Sequence, residues 1–156
     1  MHPNATLIDR FYTAFQRLDA ETMVACYAPD VVFSDPVFPL LRGAEAADMW
    51  RMLARRAKDF SLTFDQVQAD EEAGSAHWIA SYTFSSTGRR VVNDIHAEFR
   101  FEQGRIIRHT DRFDLWRWSR QALGWKGILL GWTPPVQRRI RSQAAHGLSV
   151  FRQKSG

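Results

Sequence analysis

His109 and Asp111 stand two positions apart in the segment Gly104-Arg105-Ile106-Ile107-Arg108-His109-Thr110-Asp111-Arg112-Phe113-Asp114-Leu115. Strand side chains alternate between faces, so Ile107, His109, Asp111, Phe113 and Leu115 share one face, and Arg108, Thr110, Arg112 and Asp114 the other. The second set is the wet one. An imidazole and a carboxylate among Ile, Phe and Leu lose hydration unless they pair, and residues kept there despite that cost are candidates for chemistry. The spacing predicts Cβ atoms roughly 6 to 7 Å apart, close enough for a direct or water-bridged contact. A carboxylate that orients an imidazole is a common general acid/base device. A third ionisable group joins them. Asp35 ends the run Val31-Val32-Phe33-Ser34-Asp35 before Pro36 and shares parity with Val31 and Phe33, so it too is expected to point inward. Asp111 is read as the main acid/base, His109 as its partner, and Asp35 as a second proton carrier across an apolar pocket.

Each of the three has a structural alternative: Asp111 bridging an arginine, His109 filling space with its polar edge bonded to backbone, and Asp35 capping the loop around Pro36. The substrate-binding walls are read as Phe11, Phe15, Trp50, Trp78, Tyr82, Phe99 and Phe113. Tyr82, Trp78 and Trp50 serve equally well as core. No metal is expected, because there is no HxxxH or CxxC spacing and one His with two Asp is a thin ligand set. No Gly-rich phosphate loop or Ser-His-Asp signature appears, and no cofactor is expected. Cys26 is the one cysteine and sits in an apolar helical stretch, where it reads as a small core residue.

The elements that must position these groups follow from periodicity. Asn4 is expected to cap a first helix whose Leu7, Ile8, Phe11, Phe15 and Leu18 recur at helical spacing. Asp19 caps a second, carrying Met23, Val24 and Tyr27 and stopping near Ala28-Pro29-Asp30. Pro36, Pro39 and Gly43 mark a loop, and a third helix is expected from about Ala44 to Lys58, burying Ala46, Met49, Trp50 and Leu53. From Ser61 the period changes to two. Strands are expected at about 61–70, 75–85, 90–102 and 105–116, separated by turn signals suited to antiparallel pairing. In the third, Ile95, Ala97, Phe99 and Phe101 oppose Asp94, His96, Glu98 and Arg100. In the second, Trp78, Ala80, Tyr82 and Phe84 oppose His77. The first is ambiguous, since Leu62, Phe64, Gln66 and Gln68 share parity but split on polarity. A last helix is expected near Pro135 to His146. Helices first and antiparallel strands later describe an α+β fold with helices on one sheet face.

A length of 156 residues fits one domain over 1–156, with a core at about 5–115 and a tail at about 116–156. No apolar run approaches the roughly 20 residues of a membrane-spanning helix, and the first residues carry neither a basic nor an apolar leader pattern. A soluble, cytoplasmic chain is therefore expected. The net charge of +4 is unevenly spread: residues 1–114 hold 13 Lys/Arg and 17 Asp/Glu, whereas 115–156 hold eight Lys/Arg and no acid. Basicity confined to a tail does not read as a nucleic-acid surface. The same tail holds Trp116, Trp118, Trp125 and Trp132, and three uses stay open: packing on its own acidic domain, building a subunit interface, or lying at a membrane surface.

The elements Phe11 to Phe15, Asp19, Tyr27-Ala28-Pro29-Asp30, Phe33-Ser34-Asp35-Pro36, Leu41-Arg42-Gly43 and Phe101-x-x-Gly104-Arg105-Ile106 resemble the nuclear transport factor 2-like superfamily, and within it the SnoaL-like group. The resemblance covers about residues 5–115. It implies a curved antiparallel sheet and helices enclosing a conical pocket, commonly in a homodimer, with a small apolar molecule as ligand. Known activities in the superfamily include ketosteroid isomerase, polyketide cyclase and limonene epoxide hydrolase, beside non-catalytic modules. Asp35 matches the proton-shuttling aspartate of ketosteroid isomerase, but that enzyme's oxyanion donors align with Phe11 and Ala97, and neighbouring Tyr12 points about a hundred degrees away around the helix. Asp111 is similar in place to the acid/base aspartate of epoxide hydrolases and cyclases, while the epoxide hydrolase's arginine and second aspartate fall on Trp78 and Ala80. The resemblance thus implies an isomerase, cyclase or hydrolase type of acid/base catalysis, or a binding or interaction module.

Overall fold

The computed structural model describes residues 1–155, in which the switch from helical to two-residue periodicity separates a helical layer from a sheet. The elements are α1 (Pro3–Gln16), α2 (Ala20–Ala25), β1 (Tyr27–Ser34), β2 (Leu41–Arg42), α3 (Ala44–Arg56), β3 (Ser61–Ala69), β4 (Ala73–Phe84), β5 (Arg89–Glu102), β6 (Arg105–Arg112), α4 (Leu115–Leu123), α5 (Trp125–Leu130) and α6 (Pro134–Ser155). The strands form one curved, open sheet in the order β2-β1-β6-β5-β4-β3. The four long strands pair antiparallel, and β1 joins parallel to β6. This is the expected α+β architecture.

Strand alternation is strict in β5, where Val91, Asn93, Ile95, Ala97, Phe99 and Phe101 are buried and their neighbours exposed. The ambiguity of β3 has a physical cause. Gln66 has φ of 54° at a register shift between Asp65 and Gln68, so the inward set changes from Leu62 and Phe64 to Val67 and Ala69. A second shift, between Arg100 and Phe101, lets Ile106 be the buried residue and leaves Ile107 only partly covered, correcting the parity expected for Ile107.

Other boundaries differ for local reasons. His2 caps α1, its Nδ1 accepting the Asn4 N–H at 3.0 Å; the Asn4 side chain instead donates to Asp70 O and Glu71 O in the β3–β4 turn. α2 ends at Ala25, and Tyr27 opens β1 rather than closing a helix. In α3 Met52 is buried and Leu53 is exposed, so the inward stripe is one position off at its end. β6 stops at Arg112. Asp114 is not a strand residue but the N-cap of α4, accepting the Arg117 N–H at 3.1 Å, and Leu115, Trp118, Ser119 and Ala122 then follow helical spacing into the interior.

The tail packs on the rest of the chain. α6 runs well past His146, burying Leu148 and Phe151 in the main core, and Arg152 binds Asp48 at 3.0 Å. Arg141 donates to Pro36 O at 2.8 Å, beside Asp35. None of the described helices is long and apolar enough to cross a membrane.

Candidate functional site

The parallel pairing of β1 with β6 sets Phe33 beside His109 and brings Tyr27 within reach of the same imidazole. His109 is fully buried, ringed by Phe99, Phe33, Phe11 and Trp50 at centroid distances of 4.4, 5.1, 5.5 and 6.0 Å. Both of its nitrogens are bonded to side chains: Nδ1 to Tyr27 Oη at 2.8 Å and Nε2 to Asp111 Oδ1 at 2.8 Å. Trp50 Nε1 donates to the same Tyr27 oxygen at 2.8 Å.

The direction of this chain fixes the tautomer. An indole N–H only donates, so Tyr27 Oη accepts from Trp50 and has one proton left to give. Burial holds the Tyr27 phenol well above its ordinary pKa, so that proton stays on and goes to His109 Nδ1. The imidazole proton then sits on Nε2 and is donated to Asp111. Every ring nitrogen and the hydroxyl of the relay are satisfied only in this sense.

Asp111 Oδ1 also receives Trp78 Nε1 at 3.4 Å, a long contact. Both bonds fall on Oδ1, leaving Oδ2 as the oxygen available to a molecule in the adjoining cavity. That cavity has a volume of about 910 Å³; its lining includes Asp111, Asp35, Asn93 and Tyr82, the basic residues Arg56, Lys58, Lys126 and Arg139, and apolar groups such as Phe15 and Trp78. Asp35 Oδ1 accepts the N–H groups of Val37 at 2.7 Å and Phe38 at 2.6 Å, so it does cap the loop around Pro36. Burial pushes its carboxyl up to about 7, against the pull of the Phe38 N–H bond, with the charge of Asp111 adding to the rise.

The three ionisable residues read from the sequence therefore come together, but unequally. Asp111 and Asp35 line the cavity, whereas His109 stands behind Asp111 and does not reach the cavity. Asp111 has no arginine partner among the described residues, and the polar edges of His109 meet side chains rather than backbone. Phe15, Trp50, Trp78, Tyr82 and Phe113 line the cavity; Phe11 and Phe99 do not, and pack against His109 instead. Tyr12 is fully buried with a hydroxyl that finds no partner.

Sequence reasoning passed over two residues. Tyr27 reads as the end of a helix, and nothing local signals that it will reach His109. Asn93 was legible, since it lies on the inward face of β5 by the same alternation that marks Asp111. Tyr82 Oη accepts Trp118 Nε1 at 2.8 Å, which leaves its own proton free to donate. Cys26 is buried and its thiol is pushed up to about 11, which makes it a poor nucleophile.

A curved sheet wrapped over helices, with a buried relay ending in a carboxylate at an apolar cavity, defines a cone-shaped α+β pocket protein. Residues 8–109 match the SnoaL-like domain, and the chain belongs to that family. An NTF2-like protein of unknown function from Burkholderia pseudomallei K96243 is 24% identical at a TM-score of 0.64, over 73% of this chain and 92% of its own. An LEH-like epoxide hydrolase of M. tuberculosis is 23% identical at a TM-score of 0.64, over 86% and 95%. A candidate polyketide cyclase of Xanthomonas campestris pv. campestris is 23% identical at a TM-score of 0.64, over 76% and 96%. These likenesses define a shared fold. No curated protein matches the chain.

Proposed function

We propose that the cavity binds a small apolar molecule bearing a carbonyl or epoxide oxygen, of polyketide or terpenoid character, and that Asp111 and Asp35 move protons on it without a cofactor. The observation that carries this reading is the buried relay from Trp50 through Tyr27 and His109, which ends on one oxygen of Asp111 and leaves the other to the cavity. Such a relay costs desolvation and orders a carboxylate that apolar packing alone would not need. Asp111, as the terminal acceptor, is the base. Asp35, whose carboxyl burial pushes up to about 7, is the carboxyl able to hold a proton near neutral pH and is the acid. A carboxylate held by a buried relay, facing a second whose carboxyl burial pushes up, suits a reaction that takes a proton from a C–H or a water and delivers one to an oxygen. Tyr82 Oη and the Asn93 amide orient that oxygen.

A second reading, a non-catalytic binding module, is favoured by one specific observation. The positions of the ketosteroid isomerase oxyanion donors hold Phe11 and Ala97, and both are buried apolar residues. Asp111→Asn discriminates between the two. It is expected to retain apolar carbonyl and epoxide compounds within a few-fold of wild type while lowering turnover roughly hundred- to ten-thousand-fold. Wild type that retains such compounds, converts none, and is matched by the variant would establish the binding module.

A further inference from the structure

Helix α5 and the turn that follows it are inside out. Trp125, Ile128 and Leu129 on α5 and Trp132 in the turn continue one helical spacing, and all four stand in solvent at 66, 53, 59 and 62% exposure. The opposite side is glycine: a Cβ on Gly127 would lie 2.0 Å from Ser119 O of α4, and one on Gly131 would lie 2.7 Å from Ser119 Cβ. Residues without side chains make the inward contact, while the largest apolar groups meet water. That is the reverse of an ordinary surface helix, and an apolar patch of this kind marks a docking site. Two of the indoles have their N–H groups bonded within the motif, Trp132 to Leu129 O at 3.1 Å and Trp116 to Ile128 O at 3.3 Å. Those rings enter an apolar phase without leaving a donor unpaired.

From position 115 onward the charge of the chain has one sign. Arg117 and Arg120 on α4, Lys126 on α5, and Arg138 and Arg139 at the start of α6 are accompanied by no acidic residue from position 115 onward. The arginines that form ion pairs, Arg51, Arg112 and Arg152, are different ones; none of these five cations forms an ion pair among the described residues, and Arg120 stacks on the Trp116 ring at 4.3 Å. The stripe is also continuous with the cavity, whose lining includes Trp125, Leu130, Lys126 and Arg139.

We propose that this stripe docks the protein on an anionic lipid bilayer, with the cavity opening at the membrane so that an apolar ligand passes directly between the two. The docking stands on the stripe and its charge; the ligand transfer rests on the function proposed above. Trp and aliphatic groups accompanied by cations without acidic partners are what an anionic interface attracts. A twofold contact between copies through the same stripe would instead set five cations against five.

The test is flotation of the full chain with vesicles of phosphatidylcholine alone, and of phosphatidylcholine mixed with phosphatidylglycerol, with no cavity ligand present. Wild type is expected to float with the anionic vesicles, far less with the neutral ones, and progressively less as salt rises. The pair Ile128→Ser and Leu129→Ser, on residues outside the cavity lining, is expected to weaken binding at least about tenfold with an unchanged melting temperature. Arg138→Glu is expected to weaken it and flatten its salt dependence. Wild type that stays with the unbound protein, or a serine variant that floats equally well, overturns the proposal. So does a wild-type dimer that the serine variant dissociates, which would make the stripe a subunit interface. Retention of an apolar compound by the cavity, measured without vesicles, reports separately on the pocket reading, so either idea can fail alone.

Discussion

Tyr27 is the residue on which the relay turns, because its single hydroxyl joins two buried nitrogens that have no other partner. Tyr27→Phe keeps the ring and orphans Trp50 Nε1 and His109 Nδ1, at about 1–3 kcal/mol for each buried group left unpaired. A loss of about 2–6 kcal/mol in denaturant unfolding is expected, and a change near zero would mean the relay is not held as described. Asp35 makes a pH prediction of opposite sense to that of most carboxylates. Its folded pKa of about 7 lies above the roughly 3.9 of an unfolded aspartate. The folded state therefore binds more protons between those values, and stability falls as pH rises from about 4 to about 7. Asp35→Asn still accepts the Val37 and Phe38 N–H groups but lacks this slope. Relative to wild type it should gain about 2–4 kcal/mol between pH 4 and pH 8, read from unfolding at a series of pH values; a pH-independent difference would show that Asp35 is ionised throughout. His109 and Asp111 were legible as a pair from their spacing alone, while their third partner was not, since Tyr27 is 82 positions away in the chain.

Each element carries its own constraint. The β3–β4–β5 surface is held by His77, which bonds Asp65 at 2.8 Å and Asp94 at 2.7 Å on the two flanking strands. The Asp65 bond, and then the Asp94 bond, raise the His77 pKa, so the stability this clamp adds is present below the ordinary histidine value of about 6.5 while the two carboxylates are ionised, and is lost as pH rises through the folded value. The α4–α5 contact depends on the absence of a side chain at Gly127, where a Cβ would overlap the Ser119 carbonyl. Gly127→Ala is expected to cost about 1–3 kcal/mol and to expose the segment 124–133 to limited proteolysis. A variant as resistant as wild type would mean that α5 repacks without loss. The boundary at Asp114 was readable in principle, since an Asp followed by apolar residues at helical spacing is a helix start. Its parity with the preceding strand made continuation the simpler expectation.

On the scale of the whole molecule, the tail is part of the structure that encloses the cavity. Leu148 and Phe151 lie in the main core, and Trp118 ties α4 to Tyr82 of β4. Truncation after Asp114 removes one wall of the cavity, so the shortened chain is expected to melt lower and to bind an apolar fluorescent dye more strongly. A truncated chain with the wild-type melting temperature would make the tail an accessory. Local pattern determined the helical layer, the strands, and the inward faces of Asp111, His109 and the β5 residues, because burial with period two or 3.6 is written into neighbouring positions. The same pattern slipped where bulges at Gln66 and beside Ile107 change parity, since a bulge is a matter of pairing with another strand. Only the tertiary structure decided that β1 lies parallel to β6 and so delivers Tyr27 to His109. It also decided that His109 stands behind Asp111 rather than in the cavity, and that α5 and the turn after it set their glycines inward and their tryptophans out. Each of these depends on which distant surface an element meets, and no residue carries that information in its own neighbourhood.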